Sequence, residues 1–510
     1  MQESQSFRTP HGGILGESMQ IHPAEMLVTE HPSGILEVND PLFEEPYRIG
    51  DRSLIEDPVT DDFVCTVWDY YGIHMSTRQL HRTERDETYP GSGRWNRMHH
   101  TFGAVAITAH YGGTPQQLAE MAVHDLGHRI GSHRYEHVID NRIADNDHEA
   151  GLPAFFRRSG FVDALVDRGL CDEAGVLKNG MALEELAHSE HNETGITNWP
   201  SKTGYPETER LNYILTEKAI WQSSPAEARH ILQRVQRDPD SPYGDQLVFS
   251  DFDAAVAYTK AQMRCRTENW TEPVTQVSEE LMVTMMRYAL TLDTPEMESY
   301  SLYHPGDSLR ALEEDWQTAL VGQAHTNAGV RGIMKVFDKL TDWRRRNARD
   351  VPVEDYCKYG PLAPDWLTIT RSLTAHSKQY VRGIQRPGGR YVVINVQPSK
   401  PRPTNPLVGA VGGPQDRLLS LDPDLKRYLE QKAFWCENSF DAVIDISSGK
   451  LGLSRIEQQG FMRAISGEAR HAWQAALKRP LMSQEVLTQR ITEAGQRCRR
   501  LGAVSVAQAA

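Results

Sequence analysis

The chain has 510 residues, 39% of them hydrophobic and 24% charged, a balance that suits a soluble globular protein with a large core. A formal net charge of −14 disfavours general nucleic-acid binding, which draws on a basic surface to displace counterions. No window approaches the roughly 18 uninterrupted apolar residues of a membrane span, and six scattered cysteines without a CxxC pair point to a cytoplasmic protein lacking disulfides or a structural zinc site.

Residues 1–37 hold several turn formers without periodicity and show no basic stretch followed by an apolar run, so we expect an irregular arm and no secretory leader. From Asn39 to about Leu292 the pattern is mostly helical. A helix is predicted over Phe102 to Tyr111, with His100 at its start and Gly112-Gly113 ending it. Thr114-Pro115-Gln116-Gln117 then reads as an N-cap, a proline at the first helical position and a Gln closing a capping box. That second helix is expected to run through Leu118 and Met121 to His124 and Asp125. Two helices joined by so short a loop lie side by side, which brings His100 within reach of His124.

Thr208 to Glu217 forms a further helix with Thr208 as its cap, and Ser278 to Leu292 another. Residues 240–250 and 296–308 are expected to be loops. Arg390 to Val396 is the strongest strand signal, followed by a Pro- and Gly-rich loop from Pro398 to Pro414. The last ~80 residues read as helical again. Trp343-Arg344-Arg345-Arg346-Asn347 is a short basic run whose simplest reading is a solvated helix face. The predicted organisation is an arm (1–37), a helical domain (38–308) and a mostly helical C-terminal lobe with a short β element (309–510).

The chemistry-bearing residues are concentrated. Ten of the 20 histidines fall between His74 and His148, accompanied by Arg78, Arg82, Arg85, Arg94, Arg97, Arg129, Arg134 and Arg142. Imidazole and carboxylate side by side at His124-Asp125 are what one helix can offer a buried metal, and a locally basic pocket in an acidic protein suits capture of a phosphate. A lone His-Asp pair is a weak signal, and His128, four residues on, is equally a surface residue beside Gly127. Their coincidence with His100, His133 and His148 carries the reading.

These residues also resemble a known family. Asn39-Asp40-Pro41-Leu42, Tyr89-Pro90-Gly91, Arg97-Met98-His99-His100-Thr101-Phe102-Gly103, His124-Asp125-Leu126-Gly127-His128-Arg129-Ile130-Gly131-Ser132-His133, Asp147-His148-Glu149 and Glu209-Arg210-Leu211-Asn212-Tyr213 are similar in order and spacing to the HD superfamily. More narrowly they resemble its deoxynucleoside triphosphate triphosphohydrolase (dGTPase-like) branch, over about residues 38–290. The resemblance implies a mostly α fold, an HD-type helical core with a C-terminal α+β lobe. It also implies a metal-dependent phosphohydrolase acting on (deoxy)nucleoside triphosphates, with water attacking the α-phosphorus to release nucleoside and tripolyphosphate.

By position, the resemblance makes His100, His124, Asp125 and Glu209 the ligands of a divalent metal, Mn, Mg or Fe. His133 and His148, the latter beside Glu149, are placed near the leaving oxygen, with His128 at the α-phosphate. Arg97 and Arg210 are expected to hold phosphates, and Tyr213 and Glu217 to face the sugar. The family's fourth ligand is an Asp where this chain has Glu209, and the Gln that contacts the sugar falls near Tyr70. Trp270 falls near the aromatic position beneath the sugar, with core packing as the alternative. Two other readings stand beside the hydrolase: a nucleotide-binding protein without catalysis, and an HD-fold di-iron oxygenase. A nucleotide substrate and a homo-oligomer are the expected partners, with no membrane.

Overall fold

The computed structural model describes residues 28–30, 34–40, 42–71, 97–126, 152, 156, 160–186, 208–220, 225–243, 245–290, 324–347, 362–371, 383–388, 390–396, 405–437 and 440–465. The chain is mostly helical with an α+β part, as expected. No helix among the described residues is long and apolar enough to cross a membrane.

A small antiparallel sheet comes first, of β1 (Val28–Glu30), β2 (Leu36–Val38) and β3 (Tyr47–Ile49). Two of these strands lie at the end of the stretch expected to be irregular. Leu36 and Val38 turn inward and pair with Ile49 and Tyr47, an alternation too short to stand out among turn formers. Helix α1 (Pro58–Tyr71) follows, with the Asp57 carboxylate accepting from the Thr60 amide at 2.8 Å.

Helices α2 (Arg97–His110) and α3 (Pro115–Val123) form the predicted hairpin. Gly112 makes the turn at φ 66°, where a side chain is strained. Both halves of the Thr114–Gln117 capping box are present. The helix stops at Val123, short of the expected Asp125, and His124 to Leu126 form the turn that follows. Every residue of α2 from His99 to Thr108 is buried, because two cores meet on it. Phe102, Val105 and Ala106 face β2, β3, α1 and α3, whereas Ile107 packs with the helices that come next.

Those are α4 (Phe161–Asp167) and α5 (Leu183–Leu186) on the first core, then α6 (Thr208–Ile220), α7 (Pro225–Gln233) and α8 (Phe252–Arg264) on the second. Helix α8 runs into a π-helical turn, Cys265–Trp270, before α9 (Pro273–Leu290). Between α7 and α8 lies a hairpin of β4 (Val235–Asp238) and β5 (Gln246–Phe249), which corrects the loop expected at 240–250. All four β5 residues are buried, so the segment lacks the alternation that marks a strand.

Helix α10 (Ala328–Asn347) opens the C-terminal part. Its basic run is solvated only in places: Arg346 is exposed, but Arg344 is 3% exposed, its Nε lying 3.5 Å from the buried Glu272 carboxylate. Strands β6 (Leu367–Arg371), β7 (Gly383–Gly388), β8 (Tyr391–Val396) and β11 (Phe440–Asp445) form an antiparallel sheet in the order β6-β11-β8-β7. Strand β9 (Leu407–Gly409) corrects the loop expected at 398–414, and β10 (Gln415–Arg417) follows directly after it. Strand β9 pairs in parallel with β5, giving the order β10-β9-β5-β4. Helices α11 (Leu418–Leu421), α12 (Pro423–Glu437) and α13 (Arg455–Ala464) complete the described chain. The two parts interlock: α9 packs on the C-terminal sheet, while Leu418, Leu425 and Leu429 join the core of α6 to α8.

Candidate metal centre

Three elements converge on one spot: α2 with His100, the turn after α3 with His124 and Asp125, and the first turn of α6 with Glu209. They are stitched by small polar contacts. The Thr108 hydroxyl on α2 donates to the Thr208 hydroxyl on α6 at 2.8 Å, and the Thr208 hydroxyl reaches Met121 Sδ on α3 at 3.8 Å. Glycine at position 103, three residues beyond His100, lets α6 come close. A Cβ there would stand 2.1 Å from Asn212 Nδ2 and 2.7 Å from Asp40 Oδ2.

That approach places Asn212 against the first histidine. The His100 Nδ1–H donates to Asn212 Oδ1 at 2.7 Å, and the His124 Nδ1–H donates to the Met121 carbonyl at 2.7 Å. With both Nδ1 atoms donating behind the rings, the two Nε2 atoms face one another at 3.4 Å. The Asp125 carboxylate spans the pair, with Oδ2 3.9 Å from His100 Nε2 and Oδ1 3.7 Å from His124 Nε2. Glu209 Oε1 lies 3.9 Å from His100 Nε2.

Two imidazoles and two carboxylates crowd one spot, a donor set that a cation placed among them would satisfy. Two nitrogens that share one cation at about 2.1 Å each are about 3.0–3.4 Å apart, matching the observed separation. One ligand atom from each of His100, His124 and Glu209 falls within 4.8 Å of the others, and Asp125 adjoins both imidazoles. A hydrogen-bonded Nδ1 behind each ligating Nε2 is the arrangement that fixes tautomer and ring orientation at metal sites. The donor set therefore fits a divalent cation.

The expected departure at Glu209 is absorbed by the fold, since its carboxylate reaches the same spot as the histidines. His100 and His124 are brought together as the hairpin argument required, their ring centroids 5.3 Å apart. Tyr213, one turn along α6, has its ring centroid 6.1 Å from that of His100. Arg210 is half-buried beside Glu209, and Glu217, two turns along the same helix, is 2% exposed. His128, His133, His148 and Glu149 lie outside the described residues, as do the side chains of Arg97 and Trp270.

The roles of Asn212, Gly103 and the Met121 carbonyl were not anticipated, although the first two lie in the motifs that carry the resemblance. Spacing offered a signal for the first two: Asn212 stands three residues from Glu209 and Gly103 three from His100, so each shares a ligand's helix face. Asp40 lies behind Asn212, and burial pushes its carboxyl up to about 7 against one amide hydrogen bond from Leu42 at 2.8 Å.

No protein-family model matches the sequence, and no curated protein matches it. Among solved structures the chain is similar to a phosphohydrolase from Bacteroides thetaiotaomicron, at 12% identity and a TM-score of 0.47, covering 80% of this chain and 99% of that one. A likeness of that size says nothing about this chain's chemistry, which rests on the geometry of the centre itself.

Proposed function

We propose that the chain is a metal-dependent phosphohydrolase acting on (deoxy)nucleoside triphosphates, with water attack at the α-phosphorus releasing nucleoside and tripolyphosphate. The observation that carries the metal requirement is the pair of Nε2 atoms facing at 3.4 Å, each imidazole held from behind, with Asp125 and Glu209 beside them. His100, His124, Asp125 and Glu209 would hold the cation. When bound, a divalent ion there supplies Lewis acidity toward a phosphoryl oxygen and acidifies water.

The other residues bind, orient and move protons. Arg210 is the nearest described candidate for a phosphate donor, because it follows Glu209 in α6. Tyr213, beside His100, and Glu217, further along α6, are proposed to bound the sugar end. On the resemblance, Arg97 and His128 hold phosphate oxygens. His133 or His148, oriented by Glu149, returns a proton to the leaving oxygen. A homo-oligomer in the cytoplasm belongs to the same proposal.

The test is a matrix of metals (Mn, Mg, Fe, Co) against ribo- and deoxynucleoside triphosphates, with the products identified. Tripolyphosphate and nucleoside are the expected products, and Asp125→Asn should abolish them. Pyrophosphate or monophosphate products would move the attacked phosphorus. Release of no phosphate species under any metal would reject the hydrolase.

A further inference from the structure

Asp40 lies in the loop between β2 and β3, 6% exposed, with its carboxyl held at one end. Oδ1 accepts from the Leu42 amide at 2.8 Å, and the Asp40 carbonyl closes the same turn by accepting from the Phe43 amide at 3.1 Å. Oδ2 lies over Gly103 of α2 and has no hydrogen-bond partner among the described residues. The same holds for Nδ2 of the fully buried Asn212. Folded proteins keep few buried polar atoms without partners, and here an acceptor and a donor stand together.

Gly103 makes them neighbours. Asn212 Nδ2 and Asp40 Oδ2 lie 2.1 and 2.7 Å from the point that a Cβ on this residue would occupy, so both fill the space the glycine leaves open. The Tyr47 hydroxyl is also buried without a partner among the described residues. Burial and the nearby Asp40 charge together push it well above its ordinary value.

The other end of Asn212 meets a metal ligand, its Oδ1 accepting from the His100 Nδ1–H at 2.7 Å. An asparagine amide has nearly the same shape when turned end for end, so its neighbours decide which end faces which way. With Oδ1 toward His100, a neutral ring carries its proton on Nδ1 and leaves Nε2 to the metal. With Nδ2 toward His100, Nδ1 has to accept, and the proton moves to Nε2, where the metal binds.

We propose that Asp40 is a positioning residue of the metal centre: its Oδ2 accepts from the Asn212 Nδ2–H and locks the amide in the orientation that keeps His100 Nε2 open to the cation. A protonated carboxyl still has a lone pair on each oxygen, so the lock holds in either charge state of Asp40. The inference rests on the metal centre of the proposed function, not on the reaction assigned to it.

The experiment is calorimetric titration of Mn²⁺ into the metal-free full chain, with thermal melts to establish folding. Asp40→Asn keeps the shape and the Leu42 contact but turns an N–H toward Asn212, whose amide then turns over; metal affinity is expected to fall about tenfold. In Asn212→Leu there is no amide to orient, so adding Asp40→Asn should lower affinity no further. Asp40→Asn combined with Asn212→Asp rebuilds the lock, because the amide at 40 donates to a carboxylate that still accepts from His100. That pair should return to within about threefold of wild-type affinity. Undiminished affinity in Asp40→Asn would overturn the inference, as would an equal loss in the Asn212→Leu background, which marks an effect of charge through space. An exchanged pair as weak as Asp40→Asn would overturn it too, and decides alone if Asp40→Asn does not fold. A wild type that takes up no Mn²⁺ overturns the metal centre and this inference together, whereas Mn²⁺ uptake without nucleotide hydrolysis rejects the reaction alone.

Discussion

Glu457 in the C-terminal part and two carboxyl groups near the metal centre, Asp40 and Glu120, settle on opposite sides of the ordinary carboxyl range. In the C-terminal part, Glu457 is 4% exposed yet fully partnered. Burial pushes its carboxyl up, but the Ser454 amide at 2.8 Å and the Lys335 ammonium at 2.9 Å hold it down at about 2, and Arg331 adds a third contact. Around the metal centre, burial prevails instead: Asp40 is raised to about 7 and Glu120, on α3, to about 8. Buried polar residues follow the same division. Of the described residues from 324 to 465 only Thr341, Arg344, Asn395 and Glu457 are buried and polar, whereas α2 and α6 bury His99, His100, Thr101, Thr108, Thr208, Asn212, Thr216, Glu217 and Lys218. Burying polar groups is unfavourable for stability unless they are paired, so their concentration marks the part of the fold shaped by chemistry.

Close helix packing gives the sharpest way to break that comparison. A Cβ at Gly460 would meet Ala328 and Gly329 backbone atoms at 2.5 Å, separating α13 from α10. A Cβ at Gly103 would meet side chains of the centre itself. Both alanine variants should lose stability, by about 1–3 kcal/mol or more. Only Gly103→Ala should also weaken metal binding, by about a hundredfold, as displaced Asn212 releases His100. Thermal melts with metal titration on the folded fraction check this; equal metal affinity in the two variants would erase the distinction.

Asn212→Leu is the next largest effect. It removes the acceptor behind His100 and keeps the volume, so metal affinity should fall about 10–100-fold with little change in stability. Unchanged affinity would mean that the tautomer of His100 is fixed some other way.

The carboxyl groups sharpen the contrast through pH. Glu120 in the folded chain holds a proton that the unfolded chain gives up above about 4.5, so its contribution is full below that pH and lost as pH rises to about 8. Glu457 has the opposite sign: its contribution is present above about 4.5 and lost as pH falls toward 2. Glu120→Gln should therefore stabilise the chain by about 1–3 kcal/mol at pH 8 and little at pH 4, while Glu457→Gln destabilises it by about 1–3 kcal/mol at pH 7. Denaturant melts at several pH values read both slopes, and parallel slopes in wild type and Glu120→Gln would refute the first.

Where local signals agreed, the sequence was legible. The Thr114–Gln117 cap and the glycines before it located the α2–α3 hairpin, and with it the meeting of His100 and His124. Strand β8 announced itself by β-branched residues, and Val392, Ile394 and Val396 are indeed buried. What escaped was non-local. Strands β5 and β9 pair across more than 150 residues, and their short runs acquire strand geometry only from each other. Arg344 looked like one of three solvated arginines until Glu272 came beside it from another element. In the centre the ligands were legible as residue types, but the groups that orient them were not. Asn212 offered only its spacing from Glu209, and a backbone carbonyl carries no signature at all.

The most direct test of the account is titration of Mn²⁺ into the metal-free full chain, followed by calorimetry, beside His124→Ala and Glu209→Ala. Saturable uptake by the wild type that is lost in His124→Ala and weakened in Glu209→Ala is the predicted result. Uptake that is absent from the wild type, or undiminished without the imidazole of His124, would contradict a shared cation among these four side chains.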